Sequence, residues 1–184
     1  MSSITELNID RGVGGIFDNT ILLHPHVSAL VENLTPKILK LNISSQECVT
    51  DEHVNNLVLR CNKITELNLS FTEITNDSVN SIIKHLNCLE KLDVESTKID
   101  FSTLLQLKSV PTLKILLCSF KNEDPPFEED AEAIKNLKLQ LPHIRINEDY
   151  LHIACPTKEV NGSIVQDWFW EIKAKQQYLF PKAY

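Results

Sequence analysis

Two short stretches carry residue types that could bind a phosphate or a metal ion. Residues 12–15 read GVGG, but they lack the GK[ST] ending of a P-loop and the GxGxxG spacing of a dinucleotide-binding turn. We expect a loop there. Residues 24–26 read HPH with no cluster of cysteines or carboxylates nearby. This pattern favours a structural or surface pair of histidines over a metal site.

Carboxylates and cysteines could also serve catalysis, but their spacing forms no catalytic motif. The sequence contains neither GxSxG nor HExxH. Asp93 and Glu95 alternate along one predicted strand, which is more typical of a recognition surface than of an acid–base pair. We therefore predict a protein that is not an enzyme and that needs no cofactor, no metal ion and no small-molecule substrate.

The composition limits the compartment and the class of partner. The five cysteines are widely spaced, without a CxxC pair, so we expect reduced thiols in a cytoplasmic or nuclear protein. The net charge of −7 makes nucleic acid and anionic membranes unfavourable partners. No apolar run approaches the length of a membrane span. The expected partner is another protein.

The elements that would position any site come from an internal repeat. Apolar residues at the first, fourth and sixth places of a short segment recur in segments that begin at Ile38, Ile64, Leu89 and Leu113, in steps of 26, 25 and 24 residues. This is the LxxLxL core of a leucine-rich repeat, whose period is about 20–29 residues. A further copy begins at Ile4.

Each repeat continues with a helix signal. Thr50, Thr75 and Asp100 precede apolar residues that recur at spacings of three and four. Small polar side chains at this point typically cap the first turn of a helix. A unit of strand and helix buries its apolar side only against neighbouring units. We therefore predict an α/β leucine-rich-repeat solenoid over residues 1–150, with five to six units and the best repeats at 36–120.

The repeats resemble a cysteine-containing subtype of leucine-rich repeat that is common in F-box-type substrate receptors. The resemblance lies in ITND at 74–77 and in the pattern Cys61-x-x-Ile64, and it covers about residues 36–120. We recognise no F-box in the sequence. The resemblance implies an alternative function, that of a substrate receptor or adaptor of a ubiquitin ligase.

The predicted solenoid has short parallel strands on its concave face and helices on its convex face. Side chains alternate along a strand, so the residues between the apolar ones project from the concave face as a polar grid. The candidate protein-binding residues on this grid are Lys40, Asn42, Glu66, Asn68, Lys91, Asp93 and Glu95.

The C-terminal tail, residues 151–184, is rich in aromatic side chains. Its candidate residues are Trp168, Phe169, Trp170, Tyr178 and Phe180. One interpretation is a cap over the last repeat, which an open solenoid requires for solubility. The other is a peptide whose aromatic residues anchor it to a partner protein. The sequence leaves both open. It predicts a non-enzymatic adaptor or assembly subunit that uses the concave face, the tail or both.

Overall fold

The computed structural model of the chain describes residues 4–9, 22–119, 128–147, 158–160 and 163–165. Along these residues strands and helices alternate: β1 (Glu6–Asn8), α1 (His24–Asn33), β2 (Lys40–Asn42), α2 (Asp51–Arg60), β3 (Glu66–Asn68), α3 (Asn76–His85), β4 (Lys91–Asp93), α4 (Phe101–Leu104), β5 (Ile115–Leu117), α5 (Glu128–Gln140) and β6 (Arg145–Ile146). A 3₁₀ helix, Leu105–Ser109, follows α4 directly. Two further strands, β7 (Lys158–Val160) and β8 (Ser163–Val165), form a separate antiparallel pair.

Strands β1–β6 form one sheet in chain order, and each strand is parallel to its neighbours. The register aligns the central leucines of the repeated segments, so that Leu41 lies opposite Leu67, and Leu67 opposite Leu92. The predicted α/β class, with short parallel strands alternating with helices, is confirmed. The strand of the N-terminal copy, β1, joins the same ladder.

The core lies on one side of this sheet. Leu67 and Leu69 alternate with Glu66, Asn68 and Ser70, and only the leucines belong to the apolar cluster. That cluster also contains side chains from α1–α5, the α-helices of the described ranges: Val27, Val31, Val54, Leu57, Val58, Val79, Ile82, Leu104 and Leu137. The described helices therefore pack on one side. We call the opposite side of β1–β6 the outward face.

The helix starts largely follow the capping signals. Thr50 and Thr75 immediately precede α2 and α3, as predicted, and Thr75 Oγ1 accepts a hydrogen bond from the Asp77 amide at 3.4 Å. Helix α4 has only 4 residues before it tightens into the 3₁₀ helix, whereas α2 and α3 have 10 each. The segment is the shortest of the repeat steps, which leaves less chain for a full helix. Helix α1 was not predicted.

The chain leaves three neighbouring strands through the same unusual turn. Ser45, Phe71 and Ser96 have positive φ angles of 60°, 57° and 53°. A residue other than glycine in this region is disfavoured by about 1–2 kcal/mol. The Ser45 amide donates to the Ser70 carbonyl, and the Phe71 amide donates to the Glu95 carbonyl, both at 2.9 Å. Hydrogen bonds between repeats thus hold this backbone conformation in place.

Candidate functional site

The outward face carries a row of alternating charges near the start of the strands. Lys40 Nζ lies 3.5 Å from both Glu6 Oε1 and Glu66 Oε1, and Lys91 Nζ lies 3.3 Å from Glu66 Oε2. The parallel register places these four residues on adjacent strands. We call Glu6, Lys40, Glu66 and Lys91 the charge ladder. Its two lysine side chains are about a quarter exposed.

A second row, two residues further along each strand, serves the turns. Asn42 Oδ1 accepts the Ser44 amide at 3.0 Å, Asn68 Oδ1 accepts the Ser70 amide at 3.0 Å, and the corresponding Asp93 Oδ1–Glu95 distance is 3.2 Å. Each side chain therefore folds back on its own backbone, as in an Asx turn. We call Asn42, Asn68 and Asp93 the Asx row.

These contacts correct one expectation from the sequence. The seven candidate residues do lie on the side of the sheet opposite the core, but four of them, Asn42, Glu66, Asn68 and Asp93, are buried. Asp93 has no exposed surface. Strands about 4.8 Å apart stack equivalent side chains against one another, and the Asx turns draw them towards the backbone. The partly exposed members are Lys40, Lys91 and Glu95.

The outward face becomes apolar at its C-terminal end. On β5 the places that hold charged or polar residues in β2–β4 are taken by Ile115 and Leu117, which pair in register with Lys91 and Asp93. Both are buried. The same sheet face thus has a polar part on β1–β4 and an apolar part on β5.

An exposed aromatic side chain stands at the rim of the polar part. Phe71 is 42% exposed and follows Ser70 of the outward face directly. It occupies the positive-φ position that Ser45 and Ser96 fill in the neighbouring turns. Sequence reasoning did not single out Phe71. The signal was present, since a large apolar residue stands where the aligned repeats have serine.

At the opposite edge, where the helices begin, a carboxylate links two repeats. Asp51, the first residue of α2, accepts hydrogen bonds from the Thr75 amide at 2.9 Å, from Thr75 Oγ1 at 2.8 Å and from the Ser78 amide at 3.1 Å. Ser78 Oγ donates to it as well. Burial raises the pKa of Asp51, but the hydrogen bonds from Ser78 and Thr75 outweigh that effect, so its pKa lies below the usual value. Asp51 is a structural residue.

His53 joins the first two helices at the same edge. Its Nδ1 accepts the Thr50 amide at 3.2 Å, and its Nε2 lies 3.1 Å from Ser28 Oγ and 3.3 Å from the His24 carbonyl oxygen. Because an amide only donates, Nδ1 is unprotonated and Nε2 carries the hydrogen. Burial lowers the pKa of His53, and the nearby His24 lowers it further. The ring is therefore neutral, and it replaces the Glu or Gln of a capping box.

The histidines of the HPH stretch have structural contacts. The His24 ring packs against the His53 ring with centroids 4.2 Å apart, and His26 Nδ1 accepts the Leu23 amide at 3.2 Å. Across the described ranges, no group of three or more histidine, cysteine, aspartate or glutamate side chains is arranged to hold a metal ion. The GVGG stretch at 12–15 lies outside the described residues.

The described cysteines are free thiols. Burial raises the pKa of Cys61, and burial with help from Glu95 and Asp93 raises the pKa of Cys118 to about 12. A thiol held in its protonated form is a poor nucleophile. Cys61 lies in the core, where its Sγ contacts the Thr35 carbonyl oxygen at 3.6 Å.

An apolar groove of about 440 Å³ lies at the N-terminal edge of the sheet. It is lined by side chains from β1, from the end of α1 and from the segment that leads to β2: Ile4, Leu7, Leu30, Asn33, Leu34, Thr35 and Ile38. The groove is a second surface on which an apolar group could bind.

The aromatic candidates of the tail, Trp168, Phe169, Trp170, Tyr178 and Phe180, lie outside the described residues. Strands β7 and β8 fall within the predicted tail region. None of the helices in the described part of the chain is both long and apolar enough to cross a membrane.

Comparison with known proteins yields a fold likeness only. No family model matches the chain, and no curated protein matches it. Among solved structures, the chain is similar to the leiomodin-1 actin-binding site 2, with a TM-score of 0.46 and 20% identity over 74% of this chain and 79% of that chain. It is also similar to the structure of Chaetomium Mex67:Mtr2 subunits, with a TM-score of 0.43 and 19% identity over 65% and 83% of the two chains. Likenesses of this strength carry no argument about function.

Proposed function

We propose that the chain is a leucine-rich-repeat solenoid that acts as a non-enzymatic adaptor or assembly subunit. The binding surface is the charge ladder together with Phe71, and the partner is another protein. Support for the solenoid comes from the repeated LxxLxL segments, whose central leucines align in neighbouring parallel strands. The helices that pack on one side of the sheet support it further.

The observation that carries the binding function is the exposure of Phe71, which follows the end of β3, on a sheet whose outward face also carries the partly exposed lysines of the charge ladder. Aromatic residues are enriched among the few side chains that dominate protein interfaces. A positive-φ position normally favours glycine, and here it holds a phenylalanine that is 42% exposed. Such strain is often retained where a side chain has a functional role. The lysines of the charge ladder add specificity for acidic groups on the partner.

The test replaces Phe71 without disturbing its turn. Ser45 and Ser96 take the same positive φ in the neighbouring repeats, so Phe71→Ser should keep the backbone. Leu59→Ser is the matched control, because Leu59 is 53% exposed on α2, which lies on the helical side of the sheet. The wild-type chain and both variants are used as baits in a quantitative pull-down from cell extract.

A partner that binds as proposed is retained by the wild-type and Leu59→Ser chains and lost with Phe71→Ser. With that partner purified, loss of an aromatic anchor should weaken binding at least 10-fold, or about 1.4 kcal/mol. Equal retention by all three baits would overturn the proposal. Ligase scaffold proteins among the specific partners would favour the alternative of a ubiquitin-ligase receptor, and a complex of other composition would favour the adaptor.

A further inference from the structure

Ile115 and Leu117 are buried although they lie on the outward face. They alternate with Leu116, which belongs to the main apolar cluster, whereas Ile115 and Leu117 do not. Side chains on the side of a sheet away from its core are normally open to solvent. Ile115 and Leu117 are nevertheless only 5% and 2% exposed. Neighbouring strands shield their flanks, and the described helices pack on the other side of the sheet. We therefore expect further apolar side chains to pack on Ile115 and Leu117 from the outward side.

We propose that the C-terminal segment 166–184 covers this patch, with its aromatic side chains against Ile115 and Leu117. The proposal does not depend on the protein-binding role of Phe71. It assigns the apolar end of the outward face to the chain itself and leaves the polar part on β1–β4 to a partner.

The composition of the segment fits an apolar patch. The chain has 7 Phe, 2 Trp and 3 Tyr residues, and six of these aromatics lie between 168 and 184. A buried aromatic side chain covers roughly 150–250 Å², so two or three of them are enough to cover one isoleucine and one leucine. The charges beside the patch are mixed, since Lys91 and Arg145 pair in register with Ile115, and Asp93 pairs with Leu117. The segment also carries both signs, in Asp167, Glu171, Lys173, Lys175 and Lys182, so the match with the patch lies in its apolar side chains.

The connectivity also fits. Strand β6 is the neighbour of β5, and Asn147 at its end bonds to the Cys118 backbone, donating to the carbonyl at 2.6 Å and accepting from the amide at 2.9 Å. The chain thus leaves the sheet one strand away from the patch, or about 5 Å. Strands β7 and β8 form an antiparallel pair within this stretch, with Lys158 opposite Val165. The residues before and after the pair still reach roughly 40 Å when extended, so the segment can return to β5.

Both tryptophans of the chain, Trp168 and Trp170, lie in this segment, so tryptophan fluorescence of the full chain reports on it alone. The experiment measures the emission maximum and the quenching by acrylamide. It compares the wild-type chain with Ile115→Thr/Leu117→Thr, in which β-branched residues preserve strand propensity and remove apolar surface. Two control variants carry the same residue elsewhere: Leu59→Thr on exposed α2 and Leu30→Thr in the apolar groove. Far-UV circular dichroism checks the fold of each.

If the segment covers the patch, the wild-type emission is blue-shifted and protected from acrylamide. The Ile115→Thr/Leu117→Thr chain then shifts to the red with a severalfold larger quenching constant, while both controls stay unchanged. Emission typical of exposed tryptophan in the folded wild-type chain would overturn the proposal, without any need for a variant. A red shift of the tryptophan emission in Leu30→Thr would also overturn it, because it would place the segment in the groove. Protection from acrylamide that disappears on dilution would overturn it too, because it would indicate a second copy of the chain. Because the readout involves no partner, its result is separate from that of the Phe71 pull-down.

Discussion

Carboxylates connect neighbouring repeats both at the helix starts and on the outward face, but their donors differ. At the helix starts, Asp51 accepts hydrogen bonds from two backbone amides and two hydroxyl groups of the next repeat. On the outward face, Glu66 meets two long lysine side chains at 3.3–3.5 Å. Backbone amides and short hydroxyl side chains fix the position of Asp51, whereas the lysine side chains around Glu66 are long and flexible. The two carboxylates therefore differ in how firmly their contacts fix neighbouring repeats.

Removal of Asp51 should have the largest effect on stability. Asp51→Ala removes the acceptor of the Thr75 amide and of two hydroxyl groups, while the Ser78 amide keeps its second acceptor, the Thr75 carbonyl. We therefore expect the free energy of unfolding to fall by about 2–3 kcal/mol. Urea denaturation measures the change. Asp77→Ala is the matched control, since Asp77 is an exposed carboxylate in the first turn of α3. Equal losses for the two variants would show that helix-terminal charge matters and that the link between repeats does not.

The protonation of Asp51 gives the same network a pH signature. Its folded pKa lies below the unfolded value of 3.8, so the folded state favours the ionised form. This stabilisation is complete above the unfolded pKa and is lost as the pH falls through the folded pKa. Urea denaturation of the wild type and of Asp51→Ala between pH 5.5 and pH 2.5, a range of about 3 pH units centred near that value, should show their difference shrinking. A constant difference would contradict the assignment.

The Asx row should give an intermediate effect. Asn68→Ala removes the acceptor of the Ser70 amide and of Ser70 Oγ, both next to the positive-φ turn. We expect a loss of about 1–2 kcal/mol in the free energy of unfolding. Asn87→Ala, at an exposed position, should change it by less than about 0.5 kcal/mol. A neutral Asn68→Ala would show that the turn forms without the side chain.

The charge ladder should give the smallest effect on stability. A double-mutant cycle of Glu66→Ala and Lys91→Ala should yield a coupling energy below about 1 kcal/mol, since partly exposed ion pairs are weak. The coupling should fall further at high salt because ions screen it. A larger coupling energy that does not depend on salt would show that Glu66, like Asp51, has a structural role.

The sequence predicts the elements better than their surfaces. Leu41, Leu67 and Leu92 define the strands because apolar spacing depends on the core alone, and Thr50 and Thr75 mark helix starts by local chemistry. Helix α1 was missed because no capping residue precedes it: its N-cap position is Leu23, and the LxxLxL copy at residues 4–9 lies further from it than in the other repeats. The burial of Asn68 and Asp93 depends on contacts between repeats, which a single repeat does not encode.

The same limit applies to the site. That Lys40, Glu66 and Lys91 lie on one face follows from alternation along each strand, and the structure places them there. Their exposure depends on how closely equivalent side chains stack. The aligned repeats show that Phe71 stands where Ser45 and Ser96 stand in the neighbouring repeats, but its exposure depends on the left-handed turn that all three share, which the residue types do not predict.

The shortness of helix α4 affects the order in which parts of the protein unfold. Each strand pairs only with the strands beside it, so cooperativity passes along the array from one neighbour to the next. On the sheet side this coupling is continuous through β5. On the helical side, α4 has a single α-helical turn followed by the 3₁₀ helix, where α2 and α3 have nearly three α-helical turns. An array of this kind unfolds first where the contacts between neighbouring units are weakest. We expect partial unfolding to begin there, releasing β5 and β6 as a unit while the units of α2 and α3 remain folded.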